Sequence, residues 1–237
     1  MDNRPIGIIG AMEVEVQGLI AGLAGDQVKE IAGLGFHSGK LGDVPCVVAE
    51  CGPGKVNAAA CAQIMIMEYR PRLVINVGVA GGVGVGIGDL VVASACVQHD
   101  FDTTAMGDPL GTLFIRRCGK ENEDILELPC DRNAASLLLE EARSIYGGAH
   151  SGVIATGDVF VADPAKNRWL SEKFGAKAVE MEGGSVAQAC YMNGVPCAVL
   201  RAISDNANDE SPADFPAFAK ECAEKTAKLL SQAVGKL

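Results

Sequence analysis

Basic residues are scarce in this chain. Twenty Lys and Arg stand against thirty Asp and Glu among 237 residues, a formal charge of -10 at pH 7. A surface of that sign offers no electrostatic footprint for nucleic acid or anionic lipid, so neither is expected as a partner. Although 49% of the residues are hydrophobic, no apolar run reaches the roughly 18 residues of a spanning helix. Met1-Asp2-Asn3-Arg4-Pro5 leads straight into a short apolar run and lacks the charged region and cleavage site of a secretory leader. These absences predict a soluble, cytoplasmic protein.

Metal-ligand spacing is also missing. The nine cysteines are an odd number, none forms Cys-x-x-Cys, and most lie inside apolar segments such as Val195-Pro196-Cys197-Ala198-Val199. They read as small core hydrophobes in a reducing compartment. His37, His99 and His150 are far apart and read as loop or surface residues rather than ligands. No metal site is expected from these spacings.

What is present is an alternation of short apolar strands and helical segments. Ile6 to Ile9, Pro45 to Ala49, Leu73 to Val79, Asp89 to Cys96, Gly152 to Ala155, Ala178 to Met181 and Cys197 to Ile203 read as strands. Helices are expected from Glu13 to Leu23, Lys55 to Tyr69, Ala134 to Ile145, Asp163-Pro164 to Phe174, Glu182 to Met192 and Pro216 to Val234. His99 to Asn133 is polar and irregular. The alternation implies a single α/β domain over 1–237, with a mostly parallel sheet flanked by helices. Ligands of such sheets sit beyond the carboxyl ends of the strands.

Polar residues recur where these strands end. The glycine run from Gly78 to Gly88 has no G-x-G-x-x-G register and precedes a strand, so it is not a dinucleotide loop. Its glycines either let backbone approach a small ligand or make a plain tight turn. Glu13 and Glu15 open a helix, where negative charge suits the dipole. Glu182 and Asp205 follow two other strands and have equally plain readings as helix-starting and turn residues. Three strand ends delivering carboxylates to one rim, without a nucleophile–histidine pair, suit acid–base chemistry on a cation-like transition state.

Five motifs in order then carry a resemblance across essentially the whole chain. They are Ile8-Ile9-Gly10-Ala11-Met12-Glu13-x-Glu15, Asn76-x-Gly78-x-Ala80-Gly81-Gly82, Gly157-Asp158-x-Phe160, Val179-Glu180-Met181-Glu182 and Arg201-Ala202-Ile203-Ser204-Asp205. The chain resembles the bacterial methylthioadenosine/S-adenosylhomocysteine nucleosidases of the nucleoside phosphorylase superfamily. The resemblance implies a three-layer α/β/α fold with a mixed, barrel-like sheet, a homodimer, and hydrolysis of an N-glycosidic bond without metal or organic cofactor. It assigns Glu15 to the attacking water and Asp205 to protonation of adenine N7, for which Asp205 must carry a proton. Met181 and Glu182 would grip the ribose, Met12 would lie close to the sugar, and Glu180 would be among the substrate-binding residues. Phe160 would stack on adenine, the backbone of Val161 would read its edge, and Arg201 would orient the water and the acids. Ala80 and Gly81 would line the pocket.

One departure stands out. Val79 occupies a position where the family usually has a serine that orients the acid, which leaves Ser204 or water to do so. Thr103 to Pro109 resembles the region that walls the partner's 5′-substituent pocket, and the stretch after it is longer than usual. The alternatives are phosphorolysis or aminofutalosine hydrolysis, and a non-catalytic nucleoside-binding module.

Overall fold

The computed structural model describes residues 2–117, 119–205 and 215–237. The chain runs β1 (Ile6–Gly10), α1 (Glu13–Ala21), β2 (Ala24–Ile31), β3 (Leu34–Leu41), β4 (Val44–Glu50), α2 (Lys55–Tyr69), β5 (Leu73–Asn76) and β6 (Val79–Gly82). It continues with β7 (Leu90–Gln98), β8 (Leu113–Ile115), β9 (Glu123–Ile125), β10 (Leu128–Pro129), α3 (Arg132–Ala142) and β11 (Ala149–Thr156). The last elements are α4 (Pro164–Phe174), β12 (Ala176–Glu180), α5 (Gly183–Asn193), β13 (Cys197–Asp205) and α6 (Phe215–Ala233).

Eleven strands form one sheet in the order β10-β7-β11-β12-β6-β13-β5-β1-β4-β3-β2, and β8 and β9 make a separate hairpin. Strand β13 holds the sheet together. Its start pairs with β5, its middle runs antiparallel to β7, and its end pairs with β6. The β13–β7 pairing closes β7, β11, β12, β6 and β13 into a barrel, while β5, β1, β4, β3 and β2 extend as an open flank. Closure buries both faces of β13, so all nine of its residues are buried and its sequence is almost continuously apolar.

Side-chain alternation builds the layers. Ile9, Val47, Val74 and Val199 pack with Cys61 and Met65 of α2 and Val186 and Cys190 of α5. Their neighbours Ile8, Val48, Ile75 and Ala198 face the other way, onto Val16 and Leu19 of α1, Leu138 of α3 and Leu229 of α6. A period of two along each strand thus serves two helical layers at once. Helix α4 covers the barrel through Leu170 and Phe174, which meet Val97, Ala155 and Val179. Its expected N-cap is present, with Asp163 accepting from the Ala165 amide at 2.8 Å. Among the described residues no helix is long and apolar enough to cross a membrane.

Several expectations need correcting. The sheet is mixed and barrel-like, as the resemblance implies, rather than mostly parallel as the alternation alone suggests, because β3, β6, β7 and β10 each make an antiparallel pairing. The expected strand from Leu73 to Val79 is two strands. It breaks at Val77 and Gly78, where the backbone passes so close to Glu15 that a Cβ on Gly78 would stand 2.8 Å from Oε1. Four residues of the expected glycine loop, Val79–Gly82, are therefore β6. Strands β2 and β3 carry no counterpart in the sequence reading, since β2 is exposed along almost its whole length and lacks an apolar face. The irregular region holds the β8–β9 hairpin and β10. Eight cysteines are free and buried, as expected, and Cys118 lies outside the described residues. The histidines are otherwise placed: His37 and His150 lie on strands and pair with Asp26 and Asp89, and His99 is buried.

One close approach inside the closed barrel is testable. A Cβ on Gly82 would meet Ile203 Cγ2 at 2.8 Å and the Val85 carbonyl at 2.9 Å. Overpacking of this kind costs about 1–3 kcal/mol. Gly82→Ala is expected to lower stability in urea denaturation by that amount, and an unchanged midpoint would contradict this packing.

Candidate active site

Three carboxyl groups from different elements line one cavity of about 230 Å³: Glu15 from α1, Glu182 after β12, and Asp205 at the end of β13. They are 5%, 7% and 4% exposed, so each is taken largely out of water.

Glu15 is the third residue of α1, and its side chain folds back over the start of the helix. Oε2 accepts from the amides of Ala11 at 2.8 Å and Met12 at 3.0 Å. Oε1 accepts from the Val79 amide at 3.0 Å. A carboxylate offers about four acceptor positions, so one remains, on Oε1. Burial pushes the Glu15 carboxyl above its ordinary range, against the opposing charge of Arg201 and the three amides. A raised carboxyl is the tuning a general base needs near neutral pH.

Glu182 Oε1 accepts from the Gly54 amide at 2.8 Å. Burial first, and then the negative charge of Glu180, pushes Glu182 up to about 7. Asp205 is aimed by a register shift between Ile203 and Asp205 in the β13–β6 pairing, the kind of irregularity that redirects a side chain. Ser204 Oγ donates to Asp205 Oδ2 at 2.8 Å and also lies 3.3 Å from the Ala80 carbonyl. The hydroxyl expected to replace the missing serine is thus beside the acid. Val79 lines the cavity and gives its amide to Glu15, a contact that any side chain at that position allows.

Met12, Ala80, Gly81, Phe160, Val161 and Met181 also line the cavity. Phe160 and Val159 form its lip, at 63% and 52% exposure. Glu180 borders the cavity, but its carboxylate is spent on the protein. It accepts from the Thr156 hydroxyl, from Arg201, and from the amides of Glu182 at 2.9 Å and Gly183 at 2.7 Å. Glu180 thus stands in the cavity wall, as expected of a substrate-side residue, while its carboxylate holds neighbouring groups of the protein. Arg201 is absent from the cavity wall. Its guanidinium is sealed behind the acids, bonded to Glu180, to Asn76 Oδ1 at 2.5 Å and to the Leu200 carbonyl at 2.8 Å, with Glu182 at 3.8 Å. Arg201 therefore orders the acids from behind and has no direct reach to a water in the cavity.

Sequence reasoning missed Ala11, Pro53, Val159 and Val179, which complete the wall. Pro53 was within reach of the strand-end rule, because Gly52-Pro53-Gly54 links an apolar strand to a helix.

Comparison with known proteins agrees with this geometry. A family model described as the phosphorylase superfamily matches residues 5–235. The chain belongs to that superfamily. It is 39% identical over 216 residues to the 5′-methylthioadenosine/S-adenosylhomocysteine nucleosidase of Shewanella oneidensis, covering 90% of this chain and 89% of that one. A mutant of Helicobacter pylori MTAN, solved with 5′-methylthioadenosine in its active site, is 34% identical with a TM-score of 0.88 and 99% coverage of both chains. The native futalosine hydrolase of Helicobacter pylori is 35% identical, with a TM-score of 0.87 and 99% coverage of each chain.

For a member of the phosphorylase superfamily, the wall is notable in its charge. Among the described residues, no Lys, Arg or His lines the cavity, so an anionic co-substrate would face carboxylates without a cation.

The raised Glu182 has a consequence for stability. Its folded value near 7 exceeds its ordinary 4.5, so between these values the folded state holds a proton that the unfolded chain has lost. Stability attributable to this group is then greatest at low pH and declines as pH rises to about 7. Glu182→Gln is expected to flatten that decline, seen as a Tm difference between variant and parent that shifts in favour of the variant from about pH 5 to about pH 7. Parallel Tm curves would contradict the raised carboxyl.

Proposed function

We propose that this protein hydrolyses the N-glycosidic bond of 5′-methylthioadenosine and S-adenosylhomocysteine, and by extension 5′-deoxyadenosine, releasing adenine and a 5-substituted ribose. The observation that carries the reading is the convergence of Glu15, Glu182 and Asp205 on one cavity whose wall has no cation among the described residues. The names of its relatives point the same way.

In this reading the nucleoside lies with its base between Phe160 and the end of β13 and its sugar against Met181 and Glu182. Asp205 gives a proton to N7, and Ser204 orients the carboxyl. The C1′–N9 bond breaks with its electron pair passing to the base, which leaves as neutral adenine. The sugar becomes oxocarbenium-like, and the surrounding carboxylates stabilise that positive charge. Water at the remaining acceptor position of Glu15 gives its oxygen to C1′ and its proton to the carboxylate. Glu182 accepts from the sugar hydroxyls. Each positioned proton transfer contributes about 10²–10⁴-fold.

A second reading is hydrolysis of a futalosine-type nucleoside, favoured by the similarity to the Helicobacter pylori futalosine hydrolase. The same acids would serve it, and only the 5′ group differs. The single continuous sheet supports treating 1–237 as one nucleosidase domain. We further propose a cytoplasmic homodimer acting in nucleoside catabolism and methionine salvage. The dimer is supported by the exposed apolar Val159 and Phe160 at the cavity mouth and by the exposed Met106 in the Thr103 to Pro109 stretch.

The test is adenine release from methylthioadenosine by three variants. Glu15→Gln and Asp205→Asn are each expected to lower kcat by about 10²-fold or more, because each removes a proton-transfer group. Glu13→Gln, at an exposed position in the first turn of α1, is expected to retain most activity. Equal and mild effects at all three positions would contradict the assignment.

A further inference from the structure

Behind the cavity lip, three loops meet in a closed ring of polar contacts that the chemistry above does not use. Lys55 Nζ donates to Asp100 Oδ1 at 2.7 Å. The other oxygen of Asp100, Oδ2, accepts from the Asp158 amide at 2.8 Å. The carboxylate of Asp158 accepts in turn from the Lys55 amide at 2.8 Å. Lys55 and Asp100 side chains are only 18% and 23% exposed, so the pair is partly shielded from water. Burial would raise Asp100, but the Lys55 ammonium and the Asp158 amide outweigh it and hold the carboxyl below its ordinary range.

The ring connects the two halves of the proposed substrate site. Asp158 is two residues before Phe160 on the loop that forms the lip. Lys55 follows Gly54, whose amide holds Glu182 Oε1 at 2.8 Å. Adjacent amides at the start of α2 thus hold one carboxylate from the base side and one from the sugar side. Two glycines make the approach possible. Gly54 has φ +98°, and a Cβ there would stand 3.2 Å from Asp158 Oδ1. A Cβ on Gly157 would meet the His99 ring at 2.5 Å and Asp100 Cγ at 3.2 Å. A side chain at either position would force the loops apart.

We propose that Lys55, Asp100 and Asp158 are positioning residues that latch the base-stacking loop to the segment holding the sugar-binding acid, so that Phe160 and Glu182 keep a fixed relation. The assignment of base and sugar sides rests on the function proposed above, whereas the mechanical link does not.

Two measurements separate these. The first follows amide hydrogen exchange. Asp100→Ala is expected to accelerate exchange across 157–161, and Asp158→Ala to accelerate it at Gly54, each by about tenfold or more. Unchanged exchange in both would overturn the latch, whatever the substrate. The second is kinetic, with methylthioadenosine. Asp158→Ala is expected to raise KM about tenfold with kcat within about threefold, and Asp158→Asn, which keeps an oxygen for the Lys55 amide, to restore KM to within about twofold. In a Phe160→Ala background, Asp158→Ala should add less than about twofold, because the residue it positions is gone. The same tenfold loss in both backgrounds, or an Asn variant no better than Ala, would overturn the positioning role. A parent protein that releases no adenine would refute the proposed function, and the exchange result would still decide the latch.

Discussion

The buried guanidinium of Arg201 is the constraint on which the site depends. It is 1% exposed, and Glu15, Glu180 and Glu182 lie around it at 5–7% exposure. Taking one ion of this size out of water costs several kcal/mol, and the cost is recovered only where geometry and hydrogen bonding are good. Here Glu180, Asn76 and the Leu200 carbonyl supply those bonds from β12, β5 and β13. One cation thereby lets three acids occupy a small volume. Because Arg201 is sealed behind them, the cavity receives the acids without the cation, which is the electrostatic condition a water nucleophile tolerates and a phosphate does not.

Glu15 joins folding and the proposed chemistry in a single group. Its carboxylate satisfies amides that the start of α1 would otherwise leave without partners, and it reaches across to the Val79 amide where β6 begins. The plain reading of an acid at a helix start and the catalytic reading are therefore compatible. Glu13 has only the first of these roles: it sits in the same turn but points to solvent. The difference lies in Gly10 and Gly78, both so close to Glu15 that a Cβ on either would crowd its side chain.

What was legible in the sequence follows burial. Strands β1 and β13 are buried along their whole length, and their apolar runs show it. Strand β2 is an exposed edge with polar residues, so nothing in its composition separated it from a loop. The break between β5 and β6 arises from contact with Glu15, and the barrel closes through β13 meeting β7, both long-range facts that no local pattern encodes. Glu15, Glu182 and Asp205 were legible as acids at element ends, and their roles came from resemblance. The inward commitment of Glu180 and the sealing of Arg201 were not legible, because a residue type does not reveal which face of a strand end it serves.

The central claim is that water, not phosphate, takes the sugar. Methylthioadenosine incubated with the purified protein in phosphate-free buffer, and again with added phosphate, decides it when both products are identified. Release of adenine and the free 5-thio-sugar at the same rate in both is the predicted result. Adenine appearing only with phosphate, together with a sugar 1-phosphate, would contradict it.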